Sequence, residues 1–286
     1  NPDKKRVIIF SPHPDDDVIS MGGTFIRLVD QGHDVHVAYQ TSGNTAVWDD
    51  DALRFVEFAR DFSKSISIDT QKLDDLYLSM RAFLDTKQPN QTDPHEIQIL
   101  KGLIRKGEAI SGARFAGLAD DHIHFMALPF YDRGKTERNP VSEDDIKITM
   151  ELLQRIKPHQ IFAAGDFADP HGTHKVCFDI ITQALNRLKD ESWVKDCWLW
   201  MYRGAWHEFE THEIQMAVPL SPQEVERKRY AIFKHQSQKD RPVFPGDDAR
   251  EFWVRAEDRT RETAKSYDRL GLAEYEAMEA FVRWKF

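Results

Sequence analysis

Cysteine is nearly absent: Cys177 and Cys197 are the only two in 286 residues, too few for a disulfide framework. A single bridge between them and a pair of reduced thiols fit equally well. No apolar run approaches the ~20 residues of a membrane span, so no membrane partner is expected. Long Lys/Arg runs are missing and the formal net charge is −9. Nucleic-acid phosphates and anionic membranes are therefore poor partners, although a local basic cluster could hold one small anion. Internal repeats and low-complexity tracts are also lacking. The opening Asn1-Pro2-Asp3-Lys4-Lys5-Arg6 has neither an initiator Met nor a secretory apolar segment. It reads as a cut in a linker of a longer chain, or as a processed or trimmed terminus, and the location expected is cytoplasmic.

What is present suffices for a full core. With 41% hydrophobic and 11% aromatic residues, disorder is rejected. The run Arg6-Val7-Ile8-Ile9-Phe10-Ser11 reads as a buried parallel strand. A polar loop, a helix over 18–30 ended by Gly32, and a strand over 33–40 complete a βαβ unit. Residues 48–118 read as mostly helical, broken at 88–94. A strand over 123–128 and a helix over 142–156 follow, with Ser142 as N-cap. Next come a strand over 160–164, a helix over 173–188 and a strand over 198–202. Three helices are predicted at the C-terminal end, from Pro222 to Lys234, around 248–266 and over 272–284. Alternating β and α elements predict a three-layer α/β/α, Rossmann-like fold with a mostly parallel sheet. It is read as a single domain over 1–286, with a helical insertion at about 45–100.

Ligands in open α/β sheets bind beyond the carboxyl ends of the strands, near a reversal of strand order. Two polar clusters hold such positions. Pro12-His13-Pro14-Asp15-Asp16-Asp17 follows the first strand, and Asp166-Phe167-Ala168-Asp169-Pro170-His171-Gly172-Thr173-His174 follows the strand over 160–164. Three adjacent carboxylates repel one another, and no basic neighbour in sequence offsets them. A divalent cation would relieve that repulsion, and an imidazole beside them suits zinc. His171 and His174 are three apart, so one helical turn puts them on one side. Taken singly, an Asp-rich loop also reads as a solvated turn and an HxxH as a surface pair. Their joint placement after buried strands of one sheet favours a metal site.

At these residues the chain resembles the LmbE-like, or PIG-L, N-deacetylase family, which carries (A/P)-H-P-D-D-E and a Gly pair after its first strand. Here that stretch is Pro12 to Asp17 followed by Gly22-Gly23, with the downstream HxxH in place. Thr41-Ser42-Gly43 matches its T-x-G, Arg105 and Glu108 its R-x-x-E, and Lys228 with His235-Gln236-Ser237-Gln238 its K…H-x-S-Q. The resemblance covers about residues 6–240, without the stretch near 45–100. It implies Zn2+ held by His13, Asp16 and His174, with Asp15 as general base and His171 facing the tetrahedral intermediate. Arg105 and Asn44 are implied substrate contacts, set against a plain surface charge on a helix for Arg105. Departures are Asp17 in place of Glu, Asn44 in place of the usual Glu, and the stretch Thr45 to Leu100.

The implied activity is zinc-dependent hydrolysis of the N-acetyl amide of an amino sugar, of N-acetylglucosamine type, with or without a phosphate, releasing acetate. Hydrolysis of another N-acyl compound and a non-catalytic metal- or sugar-binding module are the alternatives. The chain also looks like the C-terminal part of longer bacterial proteins whose front half resembles glucosamine-6-phosphate deaminase, which makes a fused domain of that kind an expected partner. A homo-oligomer is compatible with the sequence. Trp198, Trp200, Trp206 and Phe209 read as core packing before a sugar platform. Lys234, Lys239 and Arg241 read as a solvated patch before a phosphate site.

Overall fold

Val7, Ile8, Ile9 and Phe10 are fully buried, and their alternation puts Val7 and Ile9 against one layer of helices and Ile8 and Phe10 against the other. The strand they form, β1 (Arg6–Ser11), is thus covered on both faces. A computed structural model describes residues 3–286 apart from 90, 132–138, 168–171, 205–206, 241–242, 244–247 and 249.

The remaining elements are α1 (Asp16–Asp30), β2 (Asp34–Tyr39), α2 (Asp49–Ser65), α3 (Gln71–Thr86), α4 (His95–Phe115), β3 (Ile123–Phe125), α5 (Glu143–Ile156), β4 (Gln160–Ala164), α6 (Thr173–Arg187), α7 (Ser192–Lys195), β5 (Trp198–Tyr202), β6 (Met216–Leu220), α8 (Pro222–Ile232), α9 (Phe252–Arg269) and β7 (Ala277–Trp284). The sheet order is β3-β2-β1-β4-β5-β7-β6. Pairing is parallel from β3 through β5 and antiparallel where β7 joins β5 and β6. Helices α1, α4, α8 and α9 pack on one face, and α5 and α6 on the other. The expected three-layer α/β/α architecture is therefore present, and strand order reverses between β1 and β4.

Local chemistry accounts for several boundaries. Ser142 caps α5 in a capping box with Asp145, and Ser221 caps α8 in the same way with Glu224. Gly32, at φ 79°, takes the left-handed turn between α1 and β2. Helices α2 and α3 fill the segment after β2 and form a small core with α4 from Val56, Met80, Ile97 and Ile104. Cys177 and Cys197 are both buried and neither is in a disulfide. Among the described residues, no helix is long and apolar enough to cross a membrane.

Three readings of the sequence need correction. The helix predicted over 18–30 begins at Asp16, so Asp16 and Asp17 lie in its first turn. The strand predicted over 123–128 stops at Phe125. The helix predicted over 272–284 is strand β7, paired with β6, a strand the sequence reading did not find. Leu272, Tyr275, Met278 and Phe281 imitate helical spacing, and Ala, Met and Glu are good helix formers. Two ladders, to β5 and to β6, override that local preference.

Strand β7 also brings Glu279, 1% exposed, into the interior. Helix α1 leaves helical geometry at Met21 (φ −136°, ψ 27°), which frees backbone N–H groups at the start of its second half. Glu279 accepts those of Gly23 (3.0 Å) and Thr24 (2.7 Å) and the Thr24 hydroxyl (2.6 Å). Lys228, equally buried, donates to Glu279 at 2.8 Å. Gly23 has no room for a side chain, since a Cβ there would sit 2.6 Å from Leu220. Lys228→Met should cost about 3–5 kcal/mol, because it strands a buried carboxylate. Urea unfolding should read that loss, and adding Glu279→Gln should recover part of it.

Candidate metal centre

The Asp-rich loop and the described parts of the second cluster, Asp166-Phe167 and Gly172 to His174, lie at the strand-order reversal, at the carboxyl ends of β1 and β4. After Ser11 the chain turns so that the N–H of His13 donates to Asp16 Oδ2 at 2.8 Å. That oxygen is also the meeting point of two imidazoles. His13 Nδ1 lies 3.2 Å from it and His174 Nε2 3.3 Å. The donor atoms of His13, Asp16 and His174 all fall within 4.8 Å of one another. Donors at about 2.0–2.1 Å from a tetrahedral zinc stand roughly 3.3 Å apart, so the spacing and the donor types fit such an ion.

The ring of His174 is oriented from behind. Its Nδ1 sits 2.9 Å from the Asp166 carbonyl oxygen, and donation there leaves the Nε2 lone pair facing Asp16. Gly172, at φ 64°, precedes the helix that carries His174. His171 lies outside the described residues, as do Trp206 and Arg241 of the sequence reading.

Asp15 and Asp17 flank Asp16 but face other partners. Asp15 points to Arg105, whose Nη2 is 3.2 Å away and also donates to the Pro14 carbonyl at 2.8 Å. Arg105 is 1% exposed, so it is no surface charge. Asp17 accepts from the Ser11 hydroxyl and the Tyr39 hydroxyl, each at 3.1 Å. These surroundings split three identical side chains. Burial pushes Asp15 up to about 8, with Arg105 opposing and the neighbouring carboxylates adding to the rise. Burial likewise pushes Asp17 up to about 6 against its two hydroxyl donors. Burial works on Asp16 too, yet charge and hydrogen bonds from His174 and His13 win and hold it well below the usual carboxylate range.

The other motif residues form the surround. Thr41 donates its hydroxyl to the Pro12 carbonyl at 2.7 Å. Gly43, at φ 60°, lies against Pro14 and Arg105 so closely that a Cβ would meet them at 3.0 and 3.2 Å. Asn44 is buried and its Oδ1 has no partner among the described residues. Glu108 accepts from both the N–H and the hydroxyl of Ser237 at 2.7 Å, which links the R-x-x-E helix to the H-x-S-Q segment. Burial pushes His235 down to about 3, and its ring packs on Gly112.

The sequence reading missed Tyr131. Its ring lies 6.2 Å, edge-on, from that of His13, beside a cavity of about 420 Å³ lined also by Thr41, Ser42 and Asn139. No local pattern marks Tyr131, because it arrives on a loop far along the chain. Of the suspected sugar platform, Trp200 and Phe209 are buried, and Trp198 lies under the Arg283 guanidinium at 3.8 Å. Lys239 pairs with Asp240.

The family model PIG-L: GlcNAc-PI de-N-acetylase matches residues 8–185. A curated relative from Bacteroides thetaiotaomicron, named as glucosamine-6-phosphate deaminase-like, is 53% identical over 286 residues, covering 99% of this chain and 43% of that protein. The chain thus spans less than half the length of that relative. The structure is similar to N,N′-diacetylchitobiose deacetylase from Pyrococcus horikoshii, with a TM-score of 0.61 and 20% identity over 99% of this chain and 84% of that one. It is also similar to GalB, a 4-carboxy-2-hydroxymuconate hydratase from Pseudomonas putida, with a TM-score of 0.59 and 14% identity over 99% and 97%. Likeness at such identities speaks for the fold, and a hydratase on the same fold means that the reaction must be argued from the site.

If the three converging donors hold the metal, alanine at His13, Asp16 or His174 should remove at least nine-tenths of the zinc bound at that site. Metal analysis after loading and desalting reads this directly. Unchanged zinc in all three variants would refute the assignment.

Proposed function

The chain belongs to the PIG-L (GlcNAc-PI de-N-acetylase) family, and on that premise we propose that it is a zinc-dependent amidohydrolase that removes the acetyl group from an N-acetylated amino sugar. The observation that carries this reading is Asp15. It is a buried carboxylate next to the His13–Asp16–His174 set that is turned towards Arg105. A site that only binds metal has no use for such a group, whereas hydrolysis needs a base there.

Held by those three residues, zinc would supply Lewis-acid polarisation of the amide carbonyl and acidify water at the site. Asp15 takes the proton of the attacking water, and Arg105 fixes the orientation of its carboxylate and favours its charged form. Asp17, pinned by Ser11 and Tyr39, holds the start of α1 against β1 and β2. His171, on the family motif alone, faces the oxyanion of the tetrahedral intermediate and stabilises it. Either Asp15 or protonated His171 returns the proton to the departing amine.

The substrate reading has its own support. A cavity beside Tyr131, whose ring lies 6.2 Å from that of His13, is lined by Thr41, Ser42, Tyr131 and Asn139, polar groups that suit the hydroxyls of a sugar. The unsatisfied Oδ1 of Asn44 is a further acceptor. A relative named as glucosamine-6-phosphate deaminase-like favours an N-acetylglucosamine-type compound, free or phosphorylated. Its greater length, of which this chain matches 43%, also favours a fused domain of that kind.

Acetate release from free and phosphorylated N-acetylglucosamine compounds, with a non-sugar acetamide beside them, tests the substrate. Turnover of the non-sugar amide alone would replace the amino-sugar reading. Asp15→Asn should keep its zinc and lose roughly 10²–10⁴ in kcat. The pH profile tests Arg105. Its charge lowers the Asp15 pKa, so Arg105→Ala should move the acidic limb of kcat/KM to higher pH. A limb that stays in place would separate Arg105 from the base.

A further inference from the structure

The opposite end of the sheet carries a second convergence of imidazoles and carboxylate. Asp34 and His36 stand two apart on β2, so alternation places them on one face. His122, just before β3, and His124, within it, sit beside them through the parallel β2–β3 pairing. His36 Nε2 lies 3.4 Å from Asp34 Oδ1, and His122 Nδ1 lies 3.7 Å from the same oxygen. Donor atoms of the three residues all fall within 4.8 Å of one another. The rings of His36 and His122 stack at 4.2 Å, and the group opens on a cavity of about 480 Å³ bordered by Asp121 and Arg155.

We propose that this cleft binds a divalent transition metal of the zinc class through Asp34, His36 and His122, independently of the catalytic centre. Two imidazoles and a carboxylate form a donor set suited to zinc, and spacings of 3.4 and 3.7 Å are close to the ~3.3 Å edge of its tetrahedron. The tautomer required at His36 has a partner ready. His36 Nδ1 is 3.1 Å from His124 Nε2, so a proton on Nδ1 is donated to His124 and Nε2 is left free. His174 is oriented by the same device in the catalytic set.

Two arginines line the cleft. Arg6 Nε donates to the carbonyls of Ile156 and Lys157, each at 2.9 Å, at the end of α5, whereas Arg155, exposed to solvent, faces the imidazoles. The state that competes with metal is a chain of hydrogen bonds through the same atoms. Arg155 Nη2 is 3.4 Å from His124 Nδ1, and protons running from there through His124 and His36 would end on Asp34. Metal binding reverses that proton order. It also draws His122 Nδ1 away from the Val35 carbonyl, 2.9 Å distant. Three protein ligands leave a coordination position open to the cleft, so the ion there exchanges, in contrast to a closed four-ligand structural zinc. The length of β2 puts this site roughly 20 Å from the catalytic one.

The test is zinc stoichiometry on the whole chain, loaded with excess zinc chloride, desalted and analysed for metal. Two equivalents are expected for the wild type and one for His36→Ala, Asp34→Asn and His122→Gln, with melting temperatures showing that each variant is folded. Asp16→Ala should also hold one equivalent, and Asp16→Ala combined with His36→Ala close to none. One equivalent in the wild type, or a second equivalent that survives both His36→Ala and His122→Gln, overturns the proposal. Retention of both equivalents by Asp16→Ala would count against the catalytic assignment instead, so the two failures are distinguishable.

Discussion

Crowding of Asp15, Asp16 and Asp17 at the end of a buried strand is the constraint around which the rest of the site is arranged. Three adjacent carboxylates in a low-dielectric interior cannot all carry charge unless each finds a cation or a hydrogen-bond donor. The fold supplies a different answer for each. Asp16 receives two imidazoles and a backbone N–H, Asp15 a guanidinium, and Asp17 two hydroxyls. One residue type, repeated three times, thereby acquires three protonation behaviours. The proposed division into ligand, base and structural anchor follows from those surroundings, since the side chains themselves are identical.

Holding this arrangement requires α1 to start immediately after the loop and still reach across the sheet. The helix does so by breaking at Met21, and the break is supported from two other elements. Glu279 of β7 caps the freed N–H groups, and Lys228 of α8 neutralises Glu279. On the far side, Arg105 and Glu108 are successive turns of α4. One braces Asp15, and the other captures the backbone and hydroxyl of Ser237 after α8. The antiparallel end of the sheet is thus mechanically continuous with the Asp-rich loop after β1.

The sequence made the parallel half of the sheet readable because its strands are buried on both faces. Such strands appear as unbroken apolar runs, as in Val7 to Phe10 and Ile161 to Ala164. Both polar clusters were readable for the same reason, since each follows one of those runs directly. What stayed hidden depends on contacts far apart in the chain. Arg105 reads as a surface charge until α4 brings it against Pro14 and Asp15, and Tyr131 is one aromatic among many until its loop meets His13. Strand β7 has the composition of a helix, and only its two partner strands make it extended. One signal was available there: Glu279 interrupts an otherwise apolar stretch from Ala277 to Val282, as a buried charge with a partner elsewhere would.

The central claim is that His13, Asp16 and His174 share one ion while Asp15 stands free of it as the base. Anomalous diffraction at the zinc edge from crystals of the zinc-loaded chain tests this most directly. The account predicts a peak about 2.0–2.2 Å from His13 Nδ1, an Asp16 carboxylate oxygen and His174 Nε2, with both Asp15 oxygens outside coordination distance and Arg105 still beside them. A peak coordinated by Asp15 in place of Asp16, or none between the two histidines, would contradict it.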